Sequence, residues 1–294
     1  MGSPLEHTLT DAVLARIEGN ADERFRQIMT SLIRHLHAFV RETELTEAEW
    51  FAGIQFLTAT GQKCDDKRQE YILLSDTLGV SMLVDAINHR KPGAATETTV
   101  LGPFYVPGSK QLPMWADIAA GLTGVPAYVH GRVLDVDGKP IAGAELDVWQ
   151  NDAEGFYDVQ RPGASYARGK FTTDAEGRFG FRTIRPVSYP IPTDGPVGKM
   201  LLGMGRHPYR PAHVHTKVSA PGFEPIITHL FVQGDPYLGS DAVFGVKDSL
   251  VVEFVAHPAG PTPDGGTSPV PFDTARYDFR LVKMSQGLDV PRGG

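Results

Sequence analysis

The chain has 294 residues, of which 41% are hydrophobic and 21% are charged, and its formal net charge is −7. This composition is ordinary for a globular protein of one or two domains with a buried core. The acidic balance argues against a nucleic-acid surface, which needs a basic patch, and against attraction to an anionic membrane.

Targeting and redox signals are sparse. No apolar run approaches the roughly 18 residues that span a bilayer, and the first residues do not form a signal peptide. The single cysteine, Cys64, excludes an intramolecular disulfide and a thiolate metal cluster, and we interpret it as a structural residue. These observations predict a cytoplasmic protein that does not insert into membranes.

The first hundred residues have the three- and four-residue spacing of apolar side chains that is typical of helices. One apolar stripe is formed by Phe25, Ile28, Leu32, Leu36, Phe39 and Val40. Thr46 and Glu49 fit a capping box, and we expect the helix behind it to bury Trp50, Ile54 and Leu57. A third helical stretch is predicted from about residue 67 to residue 89, with a break near Gly79.

Beyond Pro92, proline and glycine become frequent and the apolar spacing falls to two residues, which indicates strands. Strands are predicted at residues 127–136, 145–150, 170–173, 179–183, 213–219, 226–232 and 250–255, with a candidate last strand at 277–282. Short strands joined by turns imply an antiparallel sandwich or barrel. The predicted fold class is therefore α+β, with a helical domain over residues 1–100 and an antiparallel β-sandwich domain over 101–294. The tail after His257 is expected to wrap the surface.

His213 and His215 are the first candidate metal ligands. Side chains two apart on a strand point to the same face, so both imidazoles can reach one ion. His35 and His37 have the same spacing, but they lie in a helical pattern, where residues two apart do not face each other. The spacing alone is a weak signal, and polar packing of two histidines across strands is a competing interpretation.

Two tyrosines lie in unusual loops. Tyr157 follows the turn after the strand at 145–150, and Tyr189 lies in a loop, 185–192, that contains three prolines. An amphipathic tyrosine at a sheet edge is the simpler interpretation of each. If both bind a metal, ionising each phenol at pH 7 costs about 4 kcal/mol, because its pKa is near 10. Fe(III) can compensate that cost twice, whereas zinc and magnesium fit less well.

Five segments together resemble the intradiol ring-cleavage dioxygenases. They are residues 101–108, 148–150 with 155–157, 189–192, 205–215 and 234–238. The most specific feature is the run from Arg210 to His215 with two tyrosines upstream, and the resemblance covers about residues 23–282. Within the family, residues 240–250 are more similar to the hydroxyquinol and chlorocatechol groups. His229 also differs from the glutamine that many catechol enzymes have there.

The resemblance implies a metal site and two catalytic residues. Fe(III) would be bound by Tyr157, Tyr189, His213 and His215, with Tyr157 and His213 equatorial and the other two axial. A bound substrate would displace Tyr189, which would then take up a proton, so this residue would be both ligand and base. Arg210 would stabilise negative charge that develops on the ring. A surface salt bridge is the alternative interpretation of Arg210.

The implied reaction inserts both atoms of O2 into a small aromatic diol or triol. The resemblance favours conversion of hydroxyquinol (benzene-1,2,4-triol) to maleylacetate and leaves catechol or chlorocatechol as alternatives. A non-catalytic β-sandwich binding module is an alternative of another class, because a fold alone does not determine function. The absence of the common hydrolase motifs argues against zinc or serine hydrolysis.

By the same resemblance, the substrate pocket would be formed by Leu73, Asp76, Val100, Leu101, Gly102, Pro103, Phe104, Ile191, Pro192, Arg210 and Val243. Asp76 could accept a hydrogen bond from a third ring hydroxyl, which hydroxyquinol has and catechol lacks. An ordinary residue on a helix face is an equally open interpretation of Asp76. In this family the N-terminal helices form a dimer interface that can hold a lipid, so a homodimer through these helices is expected.

Overall fold

The structure is a computed structural model that describes residues 3–65, 68–91, 93–161, 163 and 165–284. The chain divides into two compact units, residues 1–62 and 63–294. The assignment of functional domains to residues 1–100 and 101–294 stays a prediction. Among the described helices, none combines the length and the apolar character that a membrane span requires.

The first unit contains three helices, α1 (Pro4–Ala15), α2 (Glu23–Thr43) and α3 (Glu47–Gln62). The Asp22 carboxylate accepts a hydrogen bond from the Phe25 amide (2.8 Å) and caps α2. The predicted capping box at α3 is confirmed, since Thr46 N–H donates to the Glu49 carboxylate (2.9 Å) and Glu49 N–H to the Thr46 hydroxyl (3.3 Å). Helix α1 was missed because it precedes the recognised apolar stripe.

The apolar side chains of α2 and α3 are exposed, which corrects the expected burial of the α3 residues. Trp50, Ile54 and Leu57 are 57%, 43% and 44% exposed, and α2 has no buried residue at all. The periodicity identified the helices correctly, but periodicity does not say what covers an apolar face. Among the residues that the structure describes, none covers that face enough to bury it.

Two shorter helices, α4 (Glu70–Thr77) and α5 (Val80–Asn88), begin the second unit. The predicted break at Gly79 is confirmed; this glycine has a φ of 75°, a left-handed conformation that a side chain disfavours. The predicted start of this stretch at residue 67 lies outside the described residues. The buried Glu70 accepts hydrogen bonds from Arg68 Nε (2.8 Å) and from the Val197 amide (3.2 Å), which ties α4 to α6 (Pro196–Gly203).

The rest of this unit is a sandwich of two five-stranded sheets. The first contains β1 (Pro126–Asp135), β4 (Arg178–Ile184), β10 (Phe254–His257), β13 (Phe272–Arg276) and β14 (Phe279–Leu281). The second has the order β3 (Arg168–Thr172), β2 (Glu145–Trp149), β7 (His213–Ser219), β8 (Ile226–Val232) and β9 (Val251–Val252). Two short pairs complete it, β5 (Tyr189–Pro190) with β6 (Tyr209–Arg210) and β11 (Gly260–Pro261) with β12 (Thr267–Ser268).

The α+β fold class is confirmed, with two refinements. Strand β1 pairs in parallel with both β13 and β14, and β8 pairs in parallel with β9, so the sheets are mixed. The candidate last strand at 277–282 is confirmed as β14, and the segment after His257 also contributes β13 to the first sheet, so this segment does more than wrap the surface.

Alternation along β7 and β8 decides where the site lies. Val214 and Val218 of β7 and Leu230 of β8 point into the core between the sheets. His213 and His215 therefore point to the opposite, outer face of the second sheet. In register with His215 are Trp149 on β2 and His229 on β8, so three rings lie side by side on that face.

Candidate metal centre

Four buried side chains converge on the outer face of the second sheet. The Tyr157 hydroxyl oxygen lies 3.1 Å from His215 Nε2, 3.4 Å from His213 Nε2 and 3.4 Å from the Tyr189 hydroxyl oxygen. The two Nε2 atoms of His213 and His215 are 3.1 Å apart. The structure thus brings together all four residues that the sequence analysis selected as metal ligands.

The two tyrosines reach this point from neighbouring loops. Tyr157 follows a tight turn at Gly155 (φ 87°), and its amide donates to Gln160 Oε1 (2.8 Å). Tyr189 lies on β5, paired with Arg210 on β6. A Cβ atom on Gly155 would lie 3.1 Å from the Tyr189 Cβ, so glycine permits the close approach of the two loops.

Hydrogen bonds set the proton positions on His213. Its Nδ1 atom is 2.7 Å from the Pro211 carbonyl oxygen, which can only accept, so Nδ1 carries the proton. Its Nε2 atom accepts from the Arg210 guanidinium at 3.4 Å, which can only donate. The Nε2 lone pair of His213 is therefore directed into the site. His215 presents the same lone pair when its own proton is on Nδ1.

The distances and the donor types fit one small cation. Metal–nitrogen and metal–oxygen bonds of about 2.0–2.2 Å place neighbouring ligands about 3.0 Å apart at 90° and about 3.6 Å apart at 120°. The observed separations of 3.1 to 3.4 Å lie in that range. Two phenols and two imidazoles without a thiolate suit a hard, strongly Lewis-acidic ion, so the residues fit Fe(III).

His213 and His215 also form, with His229, a group of three whose ligand atoms lie within 4.8 Å of one another. However, His229 Nε2 is 2.7 Å from His215 Nδ1, the ring nitrogen that faces away from Tyr157. His229 therefore supports His215 from behind and is not aimed at the point where the four donors meet.

Burial keeps Tyr157, His213 and His215 neutral in the absence of a cation. It raises the pKa of Tyr157 well above its ordinary value, and the neighbouring Tyr189 adds to the effect. It also lowers the pKa of His213 to about 3, with Arg210 contributing, and lowers the pKa of His215 well below its ordinary value. Neutral imidazoles are ready to bind a metal, whereas the Tyr157 proton has to be displaced by one.

Arg210 lies in the site and is not a surface residue. Its side chain forms an ion pair with the buried Asp241, at 3.1 Å from Nε and 3.3 Å from one terminal nitrogen. Residues 211 and 212 separate β6 from β7, so Arg210 does not follow the alternation of the β7 strand. Burial opposes the charge, but the pKa of Arg210 is nevertheless raised, and the charge of Asp241 is the largest of the raising causes.

The predicted pocket residues fall into two groups around the four donors. Leu73, Ile191 and Val243 pack in one apolar cluster with Leu201 and Ala242. A cavity of about 710 Å³ is lined by Leu73, Pro103, Phe104 and Pro192, among others. The Phe104 ring stacks on Tyr157 with the ring centroids 4.4 Å apart, which connects this cavity to the metal centre.

Segment 100–102 lies against His215. Gly102 has a φ of 76°, and a Cβ atom there would lie 3.1 Å from His215 Cε1. Val100 and Leu101 directly precede Gly102 in the chain, and they are connected to the site through this glycine.

Asp76 on α4 is buried, with 5% of its surface exposed, so it is not an ordinary residue on an exposed helix face. Burial raises the pKa of its carboxyl, while a hydrogen bond from Ser81 and the charge of Arg210 lower it. The influence of Arg210 and of Asp241 on this pKa places Asp76 within electrostatic reach of the site.

Several residues of the site were missed or undervalued. Trp149 stacks on His215, with 4.7 Å between ring centroids and 12° between planes. The position of His229 in a predicted strand carries a signal. His229 and Phe231 are two residues apart, so they share one face of β8, and they pair with His215 and His213. Asp241 and Thr99 carry no such signal, because each lies in an irregular segment far along the chain from its partner.

The fold and the site together define the class: a mixed β-sandwich preceded by helices, with a candidate mononuclear centre of two tyrosines and two histidines. Comparison with known proteins gives the family. The family model described as "Dioxygenase" matches residues 100–283, and the one described as "Catechol dioxygenase N terminus" matches residues 22–96.

Individual relatives agree with these matches. The chain is 55% identical to a 6-chlorohydroxyquinol 1,2-dioxygenase of Cupriavidus pinatubonensis, over 94% of this chain and 96% of the relative. It is 54% identical to a hydroxyquinol 1,2-dioxygenase of a Rhizobium species, over 85% and 86%. A solved hydroxyquinol 1,2-dioxygenase from Pseudomonas putida has a TM-score of 0.91 and 53% identity, with 95% of this chain and 99% of that chain covered.

The chain therefore belongs to the intradiol ring-cleavage dioxygenases, and it is an enzyme of that kind. The alternative of a non-catalytic sandwich module does not hold.

Proposed function

We propose that the protein binds Fe(III) through Tyr157, Tyr189, His213 and His215 and cleaves hydroxyquinol between its two adjacent hydroxyl-bearing carbons, giving maleylacetate. The observation that carries this proposal is the convergence of four buried oxygen and nitrogen donors at separations of 3.1 to 3.4 Å. Fe(III), when bound there, supplies the Lewis acidity that makes a chelated catecholate ring reactive toward O2.

The residues of the centre have different tasks. The Tyr157 hydroxyl is within 3.4 Å of three other donors, whereas the Tyr189 hydroxyl is at that distance from Tyr157. Tyr189 is thus the outlying donor, which suits a ligand that leaves and takes a proton from the substrate. Arg210 points at the same centre with a fixed positive charge, where it stabilises negative charge on the substrate.

Three of the apolar residues shape the cavity for a planar ring. Leu73 and Pro192 line it, and Phe104 forms a wall that stacks on Tyr157. This apolar side of the cavity, whose lining also includes the charged residues Arg68 and Asp158, gives a planar ring a surface to pack on beside the donors.

Asp76 supports hydroxyquinol over catechol as the substrate. Its carboxylate is costly to ionise where it lies, because burial raises its pKa. A ring hydroxyl that donates a hydrogen bond to it lowers that cost, and catechol lacks the third hydroxyl. The two relatives described above carry hydroxyquinol or its chlorinated form in their names, which agrees with this choice.

An anaerobic titration tests the proposed function. The iron-loaded protein is expected to show a phenolate-to-iron absorption band that shifts on addition of hydroxyquinol and saturates at a lower concentration than with catechol. Maleylacetate should then form on admission of O2. A protein that stays colourless after loading with Fe(III) would overturn the proposal. Tighter binding of catechol than of hydroxyquinol would make catechol the proposed substrate.

Replacing Asp76 with leucine is expected to reduce the preference for hydroxyquinol over catechol, as a ratio of kcat/KM values, by about 10²-fold. The reason is that sites built to bond a hydroxyl reject analogues without it by factors of this order or more. The Asp76→Asn variant keeps an acceptor oxygen and should lose less. The control is Leu73→Ala, which enlarges the cavity beside the metal centre and should affect both substrates alike. An unchanged ratio in Asp76→Leu would show that Asp76 does not sense the ring.

We also propose that the protein is a homodimer that uses the exposed apolar face of α2 and α3. This face comprises Phe25, Ile28, Leu32, Leu36, Phe39, Val40, Trp50, Phe51, Ile54 and Leu57, which are each between 43% and 57% exposed. An apolar face of this extent on a folded chain marks an interaction surface. A lipid held at this interface and a cytoplasmic location stay predictions.

Replacing Leu32 with glutamate is expected to convert a dimer into a monomer, because each copy of the interface would then bury an unpaired carboxylate. Sedimentation velocity gives the mass directly. The matched control is Arg34→Glu, which introduces the same side chain two residues away, on a different face of α2. A wild-type monomer at micromolar concentration would contradict the dimer, as would a dimer that Leu32→Glu leaves intact.

A further inference from the structure

We propose that Thr99 and His229 form a positioning pair that holds His215 in one ring orientation and one tautomer, with its proton on Nδ1. The role assigned to His215 as a metal ligand rests on the proposed function above. The pair itself is defined by two hydrogen bonds between buried side chains, and neither residue faces the point where the four donors meet.

The contacts form an unbroken chain behind the metal centre. His215 Nδ1 lies 2.7 Å from His229 Nε2, and His229 Nδ1 lies 2.7 Å from the Thr99 hydroxyl oxygen. All three side chains are buried, so water does not compete for these bonds. A neutral imidazole has one donor and one acceptor nitrogen, so His229 accepts from His215 only if it donates to Thr99.

Thr99 is itself fixed to the strand that carries His229. Its amide donates to the Ile227 carbonyl on β8 at 2.8 Å. One residue earlier, Thr98 bonds the carboxylate of Asp85 on α5 at 3.0 Å, and its carbonyl accepts from Lys247 at 2.6 Å. These bonds hold the Thr99 hydroxyl at a defined position beside His229.

The two histidine ligands differ in how they are held. His213 bonds a backbone carbonyl two residues away, that of Pro211, so its tautomer is set locally by the chain itself. His215 has no such carbonyl partner among its described bonds and depends on side chains from another strand and another segment. Two substitutable side chains thus control one ligand and leave the other untouched.

The remaining sides of the His215 ring are confined by packing. Trp149 stacks on one face, and Gly102 approaches the Cε1 edge so closely that a Cβ atom would lie 3.1 Å away. Packing of this kind restrains the plane of the ring, but a ring flip exchanges nitrogen for carbon at nearly constant shape. Hydrogen bonds to the ring nitrogens distinguish the two flipped orientations, and behind the ring His229 supplies the one to Nδ1.

The chemistry of the pair predicts which replacements preserve it. A glutamine at position 229 offers an amide oxygen that accepts from His215 and an amide nitrogen that donates to Thr99, as a neutral histidine does. A leucine offers neither. Partners behind a ligating histidine typically contribute 10- to 100-fold to metal affinity.

The experiment measures Fe(III) affinity by competition with a chelator, without substrate, for the wild type and four variants. We expect a loss of about 10- to 100-fold in His229→Leu, a loss near the lower end in Thr99→Val, and near-wild-type affinity in His229→Gln. The matched control is Thr228→Val, which removes a hydrogen bond of similar length from β8 to Glu97 (2.8 Å) without touching His215. Its affinity should be unchanged.

A second measurement does not depend on iron or on the fold of one variant. Nitrogen NMR of the metal-free protein labelled at histidine should show His215 protonated on Nδ1 in the wild type and in His229→Gln. In Thr99→Val and His229→Leu the Nε2-protonated form should grow. Equal affinities and tautomers in all four variants would overturn the positioning role while iron binding stands. A wild type that binds no Fe(III) would overturn the proposed function, and the tautomers would then decide the pair alone.

Discussion

Replacing Tyr157 with phenylalanine is expected to lower Fe(III) affinity by more than about 100-fold and to abolish ring cleavage. The loss should exceed that for partners lying behind a ligand, because the hydroxyl removed is the donor nearest to the other three. The phenylalanine ring keeps the stacking on Phe104, with centroids 4.4 Å apart in the wild type, so the fold should persist. Iron content, the charge-transfer band and turnover of hydroxyquinol measure the effect.

Tyr105→Phe is the matched control for this prediction. Tyr105 is the next residue along from Phe104, and its hydroxyl donates to Asp147 at 3.2 Å, away from the four donors. The Tyr105→Phe variant loses the same hydroxyl from a neighbouring ring, and it should retain both the iron and the charge-transfer band. Normal iron loading and turnover in Tyr157→Phe would remove this tyrosine from the centre, and with it the proposed donor set.

The second sheet shows what the sequence can predict about a site. Period-two alternation placed His213 and His215 on one face, and the buried valine between them confirms that face as the one opposite the core. Alternation could not bring Tyr157 and Tyr189 to the same point, because Tyr157 follows the turn at Gly155 and Tyr189 lies on the isolated two-residue strand β5. Their selection came from the resemblance of whole segments to a family.

The helical unit shows where periodicity is insufficient. The spacing in α2 and the capping box at Thr46 and Glu49 are local properties, and both helices formed as predicted. Burial of Trp50 is not local, because it depends on what packs against the face, and the chain alone leaves this residue exposed. The parallel pairing of β1 with β13 and β14 was missed for a similar reason. Those strands are more than a hundred residues apart, and no short-range pattern encodes their contact.

Polar contacts within the site were the least predictable part. Arg210 was recognised as a candidate, but its partner Asp241 lies 31 residues later in an irregular segment. Asp241 accepts not only from Arg210 but also from the amides of Val243 and Gly245, at 3.2 and 2.9 Å. The segment that carries the pocket residue Val243 is therefore folded around the carboxylate that holds Arg210. The resemblance covered residues 240–250, but it did not indicate which residues Asp241 contacts.

The Arg210–Asp241 pair leads to the second large effect. Arg210→Met is expected to destabilise the protein by about 3–5 kcal/mol, because it leaves the buried carboxylate of Asp241 without its counter-charge. Adding Asp241→Asn removes that charge and keeps an acceptor for the two amides, so the double variant should recover most of the stability. Turnover should not recover, because the charge beside His213 is still missing. Urea unfolding and kcat measured on the same samples separate the two roles.

An exposed pair provides the control for stability. Arg178 Nε lies 2.8 Å from the Asp174 carboxylate, and the arginine side chain is 55% exposed, so Arg178→Met should leave the midpoint of urea unfolding nearly unchanged. If Arg210→Met is equally mild, or if the double variant regains turnover, the buried pair does not have the role assigned to it.

The pH dependence of the free energy of unfolding, measured on the same variants, tests the Arg210–Asp241 pair independently. Burial opposes ionisation of Asp241, but Arg210 outweighs it and lowers the pKa of the carboxyl in the folded state below its ordinary 3.8. The stability from this group is therefore present above pH 3.8 and is lost as the pH falls through the lower folded-state pKa. Without Arg210 the largest lowering influence on this pKa is gone, while the amides of Val243 and Gly245 still bond the carboxylate, so the folded-state pKa rises and the group loses less stability as the pH falls. The loss of stability caused by Arg210→Met should thus be smallest at low pH. The double variant has no carboxyl at position 241, so its stability should show neither pH dependence.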